Sequence, residues 1–127
     1  MSGFSFDSNI IIDALAGYDQ ARAEIDRATD FGSRAWISRV VWVEVMSKGE
    51  GDGLRRAETL LSGFAVDEVD AEIGRRAAAL RRERHRLKAM DAIILATALT
   101  RGRVLVTRNT KDFPAEMPGI RVPYTIP

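Results

Sequence analysis

The sequence contains no cysteine, a single histidine and only four prolines among its 127 residues. The absence of cysteine excludes disulfide bonds and metal sites built from thiolates, and it leaves the redox compartment undetermined. No apolar run approaches the roughly 20 residues that a helix needs to cross a bilayer. The first residues have neither a basic region nor a long apolar core, so we expect no secretory signal and a cytoplasmic location.

The sequence also lacks a strong excess of positive or negative charge, because 19 basic and 18 acidic side chains leave a formal net charge of +1. The hydrophobic content of 46% and the charged content of 29% are typical of a globular protein. A chain of this length is of ordinary size for one hydrophobic core. We therefore expect a single domain that spans residues 1–127.

The basic residues are unevenly distributed, and many of them fall in one segment that begins near residue 75. A basic stripe of this kind can contact phosphate groups, although a solvated helix face explains the same pattern equally well. We predict that the following five residues bind nucleic-acid phosphates: Arg81, Arg82, Arg84, Arg86 and Lys88.

Short apolar segments alternate with segments of helical periodicity along the chain. The pattern predicts strands at 4–7, 34–37, 64–66, 104–106 and 120–122. It predicts helices at 8–15, 19–29, 38–47, 54–61 and 89–99, and a long basic helix from 70, with a break in the chain at Gly32. This alternation indicates right-handed crossovers and a mainly parallel sheet that is covered by helices on both faces, an α/β fold.

Four acidic residues stand where the surroundings are predicted to be apolar. Asp7 ends the first strand, and Asp112 follows the fourth. Glu44 interrupts an apolar helix, and Asp91 begins a helix that is apolar nearly all round. An ionised carboxylate in such surroundings is costly unless something compensates it, and for clustered carboxylates the usual compensation is a divalent cation. Functional residues of parallel sheets also collect beyond the carboxyl ends of the strands.

Other acidic residues have ordinary structural explanations. Asp70 precedes the long basic helix, so we expect it to cap that helix. Ser8 and Asn9 provide N-cap chemistry for the first helix, and Ser38 does so for the third. Asp13 lies further along the first helix, and we expect it to face solvent.

The four acidic residues belong to four motifs: Asp7-Ser8-Asn9, Ser38 with Glu44, the segment 91–98 and the segment 107–113. Together these motifs resemble those of PIN-domain ribonucleases, and their order and spacing are similar to those of VapC-type bacterial toxins. The resemblance spans nearly the whole chain. One departure is Met90, which stands where many relatives have proline; this alters the first turn of the helix but leaves the carboxylate of Asp91 in place.

The resemblance implies a three-layer α/β/α PIN-like fold and an endoribonuclease that depends on Mg²⁺ or Mn²⁺. By position it implies that the catalytic and metal-binding residues are Asp7, Glu44, Asp91 and Asp112. It implies supporting roles for Asn9, Thr107 and Asn109. It also implies an RNA substrate, a cognate antitoxin that blocks the site, a homodimer and a larger hetero-oligomer with the antitoxin.

The residues themselves leave an alternative function open. A non-catalytic RNA-binding or interaction module of the same fold would keep the basic stripe without needing all four acids. His85 is the only residue that could activate a 2′-hydroxyl without metal, but a lone histidine among arginines is more typical of a surface. The sequence does not divide the roles of Glu44 and Asp112, and it does not distinguish one metal ion from two.

Overall fold

The computed structural model describes residues 3–30 and 34–126, and a five-stranded sheet lies at its centre. The strands are β1 (Phe4–Phe6), β2 (Ala35–Ser38), β3 (Ala65–Asp67), β4 (Val104–Val106) and β5 (Ile120–Arg121). They lie in the order β3-β2-β1-β4-β5, and every neighbouring pair is parallel. The predicted parallel sheet is therefore confirmed, whereas the break predicted at Gly32 lies outside the described residues.

Helices connect the strands and complete the predicted three-layer α/β/α arrangement. They are α1 (Ser8–Leu15), α2 (Asp19–Asp30), α3 (Arg39–Met46), α4 (Asp52–Leu61), α5 (Ala71–Glu83) and α6 (Ala89–Arg101). Among the residues that the structure describes, no helix is long and apolar enough to cross a membrane.

The hydrophobic core lies between the sheet and the helices that cover it. Representative side chains with no exposed surface are Ile10, Ile11, Ile37, Ile94 and Leu105. Helix α6 is buried over most of its middle, which explains why its sequence is apolar nearly all round. The helix ends at a glycine in the left-handed conformation, Gly102, whose φ of 68° most other residues would adopt only with strain.

The helix caps were mostly, but not all, predicted correctly. Ser38 accepts a hydrogen bond from the backbone N–H of Val40 at 3.3 Å, and Asp70 caps α5 in the same way. The prediction that Ser8 and Asn9 cap α1 is wrong, because Asp7 is the N-cap. The backbone N–H of Asp7 still bonds to a carbonyl of β4, so the extended chain continues through Asp7, as predicted, before the helix begins at Ser8.

A buried ion pair joins the end of β3 to the start of β4. The Nε of Arg103 lies 2.7 Å from an Asp67 carboxylate oxygen, and the guanidinium is 3.5 Å from the ring centroid of Trp36. Both charged side chains are about nine-tenths buried. Removing the Asp67 carboxylate would take an ion pair away from a buried guanidinium, which is strongly destabilising.

We expect Asp67→Asn to lower the free energy of unfolding by about 3 kcal/mol, because the buried guanidinium of Arg103 loses its ion pair with the Asp67 carboxylate. The matched control is Asp52→Asn, since the ion pair between Asp52 and Arg55 is largely exposed. That change should cost less than about 1 kcal/mol. Urea denaturation measures both; equal small losses would contradict the structural role of Asp67.

Candidate active site

Asp7 is buried and held by three hydrogen bonds at the end of β1. Its carboxylate accepts from the backbone N–H of Ser8 at 2.8 Å, from the hydroxyl of Thr107 at 2.7 Å and from the side-chain amide of Asn9 at 3.3 Å. Burial raises the pKa of Asp7, and the three hydrogen bonds oppose that rise. The carboxylate is therefore fixed in orientation but remains costly to ionise.

Asn9 and Thr107 connect the first helix to the chain that follows β4. The Asn9 amide also donates to the Thr107 hydroxyl at 3.3 Å, while its oxygen accepts from the backbone N–H of Arg108. The structure thus brings both predicted supporting residues to Asp7, across nearly the whole length of the sequence. These contacts fix α1 and the segment after β4 relative to one another.

Asn109 holds Asp112 in a closed turn. Its side-chain amide donates to the Asp112 carboxylate at 3.0 Å, and its oxygen accepts from the backbone N–H of Asp112 at 3.2 Å. The backbone N–H of Asn109 in turn donates to the hydroxyl of Thr107 at 3.0 Å. A single chain of hydrogen bonds therefore runs from Asp7 through Thr107 to Asp112.

Asp91 lies in the first turn of α6 and interacts with two of the other acids. Burial, the negative charges of Asp7 and Asp112, and a hydrogen bond with Asp112 raise the pKa of Asp91 to about 6, while Lys88 opposes the shift. A carboxyl group whose pKa is raised is the expected result when like charges share one partly buried site.

Glu44 approaches Asp7 from helix α3. Its negative charge contributes to the raised pKa of Asp7, which places it within electrostatic reach of the end of β1. Its Oε1 is buried and has no hydrogen-bond partner in the described part of the chain. A shallow pocket of about 310 Å³ lies against Glu44, with Val43 and Met90 among its walls. Glu44 is thus the one acid of the group with an unsatisfied buried oxygen.

The residue types of this group fit a divalent cation. Within residues 3–30 and 34–126, no three acidic or histidine side chains already form a metal-ligating set. The four carboxylates nevertheless supply the hard oxygen donors that Mg²⁺ and Mn²⁺ prefer. Burial and, after it, repulsion from Asp7 and Asp112 raise the pKa of Asp91, and a cation would relieve the repulsion. The unsatisfied buried oxygen of Glu44 is a hard donor of the kind that such a cation takes.

The five predicted phosphate-binding residues divide between two surfaces. Arg84, Arg86 and Lys88 line a pocket of about 600 Å³ that Asp112 also lines. Arg81 and Arg82 line a neighbouring, more open pocket of about 400 Å³, and His85 lines both pockets. The predicted stripe therefore runs along two adjoining pockets, and Asp112 lines only the first of them.

Asp13 is not exposed to solvent, contrary to expectation. Its carboxylate accepts two hydrogen bonds from the guanidinium of Arg108, at 2.6 and 3.0 Å, and a third from the hydroxyl of Tyr124 at 2.8 Å. Asp13 is consequently buried, with 8% of its surface exposed. The only sequence signal was Arg108, a cation within the fourth motif, and nothing in the sequence indicated that Tyr124 would return to α1.

We expect Asp91→Asn to stabilise the metal-free protein at neutral pH. The folded-state pKa of about 6 exceeds the ordinary value of 3.8, so the folded state binds the Asp91 proton more tightly than the unfolded state does. The resulting stabilisation is complete below pH 3.8 and is lost as the pH rises through about 6. Asparagine cannot ionise, so Asp91→Asn avoids the cost of the buried charge. After solvent screening of this half-buried group, we expect the free energy of unfolding at neutral pH to rise by about 1 kcal/mol.

Thermal melts in EDTA would test this effect. The two proteins should differ in melting temperature at neutral pH and converge below pH 3.8, whereas Asp26→Asn on the exposed face of α2 should change the melting temperature at neither pH. A variant at Asp91 that is much less stable at neutral pH would show that this carboxylate serves the fold.

A second stability prediction concerns the buried cluster at Asp13. Asp13→Ala removes the carboxylate that pairs with Arg108, whose side chain is 32% exposed, so we expect a loss of about 2 kcal/mol in the free energy of unfolding. Tyr124→Phe removes one hydrogen bond to the same carboxylate and should cost about 1 kcal/mol. Chemical denaturation of both variants measures the difference; a neutral Asp13→Ala would refute a structural role for the cluster.

Comparisons with known proteins agree with this architecture. The sequence profile of the PIN domain matches residues 5–115. A search of curated proteins finds no match. Among solved structures, a toxin-antitoxin complex from Klebsiella pneumoniae contains a chain that is 39% identical, with a TM-score of 0.86 over 96% of this chain and 98% of that one.

Two further structures are similar over nearly the whole chain. A chain of the DNA-bound VapBC complex from Salmonella typhimurium is 26% identical, with a TM-score of 0.79 and coverage of 95% of this chain and 96% of that one. A chain of VapBC2 from Rickettsia felis, solved with a DNA fragment from its promoter, is 20% identical, with a TM-score of 0.78 and coverage of 92% and 94%. This last likeness shows the fold alone.

Proposed function

Because the chain belongs to the PIN-domain family, we propose that it is a divalent-metal-dependent endoribonuclease and the toxin of a toxin–antitoxin pair. Its resemblance to VapC-type toxins, predicted from four motifs, is confirmed by the similarity of the whole chain to toxin-antitoxin structures. The observation that best supports catalysis is the electrostatic coupling of Asp91 to both Asp7 and Asp112.

In this proposal the four acids bind Mg²⁺ or Mn²⁺, and other residues of the chain hold them in place. Asp7 and Asp91 are the preferred direct ligands, whereas Glu44 and Asp112 bind the metal or accept the proton of the attacking water. The chemistry that such a cation supplies is activation of water and stabilisation of the leaving oxygen. Hydrolysis by water leaves 5′-phosphate and 3′-hydroxyl ends and needs no 2′-hydroxyl nucleophile.

The supporting residues orient the acids rather than react. Thr107 donates its hydroxyl hydrogen to Asp7 and accepts from the backbone of Asn109, so it links two of the acids. Asn9 donates a side-chain amide hydrogen to the Asp7 carboxylate, and Asn109 donates one to the Asp112 carboxylate. These bonds restrict the side-chain rotamers of Asp7 and Asp112, and fixed orientation of reacting groups lowers the entropic part of an activation barrier.

The proposed partners follow from the same family. The Klebsiella pneumoniae structure is described as a toxin-antitoxin complex, and the Salmonella typhimurium structure as VapBC. By analogy, this chain would bind a cognate antitoxin that covers the acidic site, would form a homodimer and would act on RNA in the cytoplasm. A pull-down with the antitoxin would test the pairing independently of cleavage.

We expect Asp7→Asn to reduce RNA cleavage by at least about 100-fold, because an amide is a poor ligand for a hard cation. Asparagine is itself a good N-cap, so α1 should keep its start and the metal-free protein should stay folded. The assay is cleavage of a mixed RNA pool with Mg²⁺ or with EDTA, followed by mapping of the 5′-phosphate ends.

Asp26→Asn is the matched control for this experiment, since it makes the same chemical change on an exposed part of α2. Its cleavage rate should equal that of the unmodified protein. If the unmodified protein binds RNA but releases no 5′-phosphate ends with either metal, it is a non-catalytic RNA-binding module of the same fold.

A further inference from the structure

A pocket of about 600 Å³ beside the acidic group is lined by the loop 84–88 and by residues of the segment after β4. Its basic side chains are Arg84, Arg86, Lys88 and Lys111, and Asp112 forms part of the same wall. We propose that this phosphate pocket binds an internal phosphodiester of RNA adjacent to the one that is cut. The inference rests on the proposed function, and it names a substrate contact that the acidic residues cannot provide.

The loop that lines the phosphate pocket is fixed at several points. Leu87 is 2% exposed and anchors the loop in the core. The backbone N–H of Leu87 donates to the carbonyl of Arg84 at 3.0 Å, and the Nε of Arg81 donates to the carbonyl of Leu87 at 3.0 Å. The basic side chains therefore project from a backbone that is already ordered, which reduces the entropy lost when a ligand binds.

Arg84 connects the phosphate pocket to the acidic group. Its Nη2 donates to the backbone carbonyl of Asp112, so the guanidinium is tethered to the turn that carries one of the four acids. Its Nη1 is buried and has no hydrogen-bond partner in the described part of the chain. A buried donor without an acceptor is costly, and a phosphate group supplies acceptors that match the planar guanidinium.

The charge of the phosphate pocket favours an anion. Four basic side chains face one carboxylate, that of Asp112, and this carboxylate already accepts a hydrogen bond from Asn109. The neighbouring acids repel phosphate until a cation binds, so a strand that reaches them needs a separate positive contact. We argue for RNA because the proposed reaction requires a phosphodiester strand to reach the acids and to pass the shared wall at Asp112. Occupation by an acidic protein segment is an outcome that the test distinguishes.

RNA binding by a cleavage-dead Asp7→Asn protein tests the pocket. The probe is a single-stranded RNA of mixed sequence with a 5′-hydroxyl, titrated over a salt series. The test variant adds Arg86→Gln and Lys111→Gln, two exposed residues whose change should not disturb folding. Loss of one phosphate contact should flatten the salt slope by about 0.7 and raise the low-salt Kd about tenfold.

The control adds Arg75→Gln and Arg76→Gln instead, which removes the same charge from exposed positions on α5. It should keep the salt slope of the Asp7→Asn protein. Equal salt slopes for the test and control variants would overturn the phosphate pocket. A weakening of RNA binding by the test variant that is seen only with 5′-phosphorylated RNA would also overturn it, because the ligand would then be a terminal phosphate. A test variant that no longer binds the antitoxin but keeps the salt slope of RNA binding would also overturn the phosphate pocket.

The two proposals fail in distinguishable ways. Metal-dependent cleavage by the unmodified protein, together with an unchanged slope in the test variant, removes the phosphate pocket and leaves the nuclease. A flattened slope without metal-dependent cleavage removes the nuclease and leaves an RNA-binding pocket.

Discussion

The hydrogen bond between Thr107 and Asp7 is the contact on which the candidate site depends. It joins the chain that follows β4 to the chain that follows β1, at 2.7 Å and in a buried position. The parallel pairing of these two strands places the residues side by side, and the backbone N–H of Asp7 extends the pairing by donating to Val106. This contact therefore fixes the first helix relative to the turn that carries Asp112. The geometry of the acidic group depends on that fixed arrangement.

The buried acids of this chain differ in how their charge is compensated. Asp13, Glu24 and Asp67 are each buried and each forms an ion pair with an arginine. In the described part of the chain, Asp7 forms no such pair and receives only neutral donors. An acid compensated by arginine has its charge satisfied within the fold, whereas an acid held by neutral donors keeps negative charge available for a cation.

The sequence predicted the architecture more completely than the long-range contacts. Strand β4 was predicted with its observed bounds, and the end of α1 at Leu15 was also correct, because apolar runs and glycines mark these positions locally. The prediction that Asp13 faces solvent was wrong because its burial depends on Tyr124, which is 111 residues away in the sequence. Periodicity along one helix records which face is apolar, but it carries no information about a polar residue that a distant segment covers.

The same limit applies to the basic segment, and it explains why charge alone gave an incomplete description. A run of arginines predicts a positive surface, but it does not distinguish side chains that are free to bind a ligand from those that hold the fold. Arg81 of α5 donates to the backbone carbonyl of Leu87 in the loop 84–88, and Arg84 donates to the carbonyl of Asp112. Because Arg84 lines the phosphate pocket and also tethers the turn of Asp112, an anion bound at this guanidinium would act on the acidic group through a single side chain.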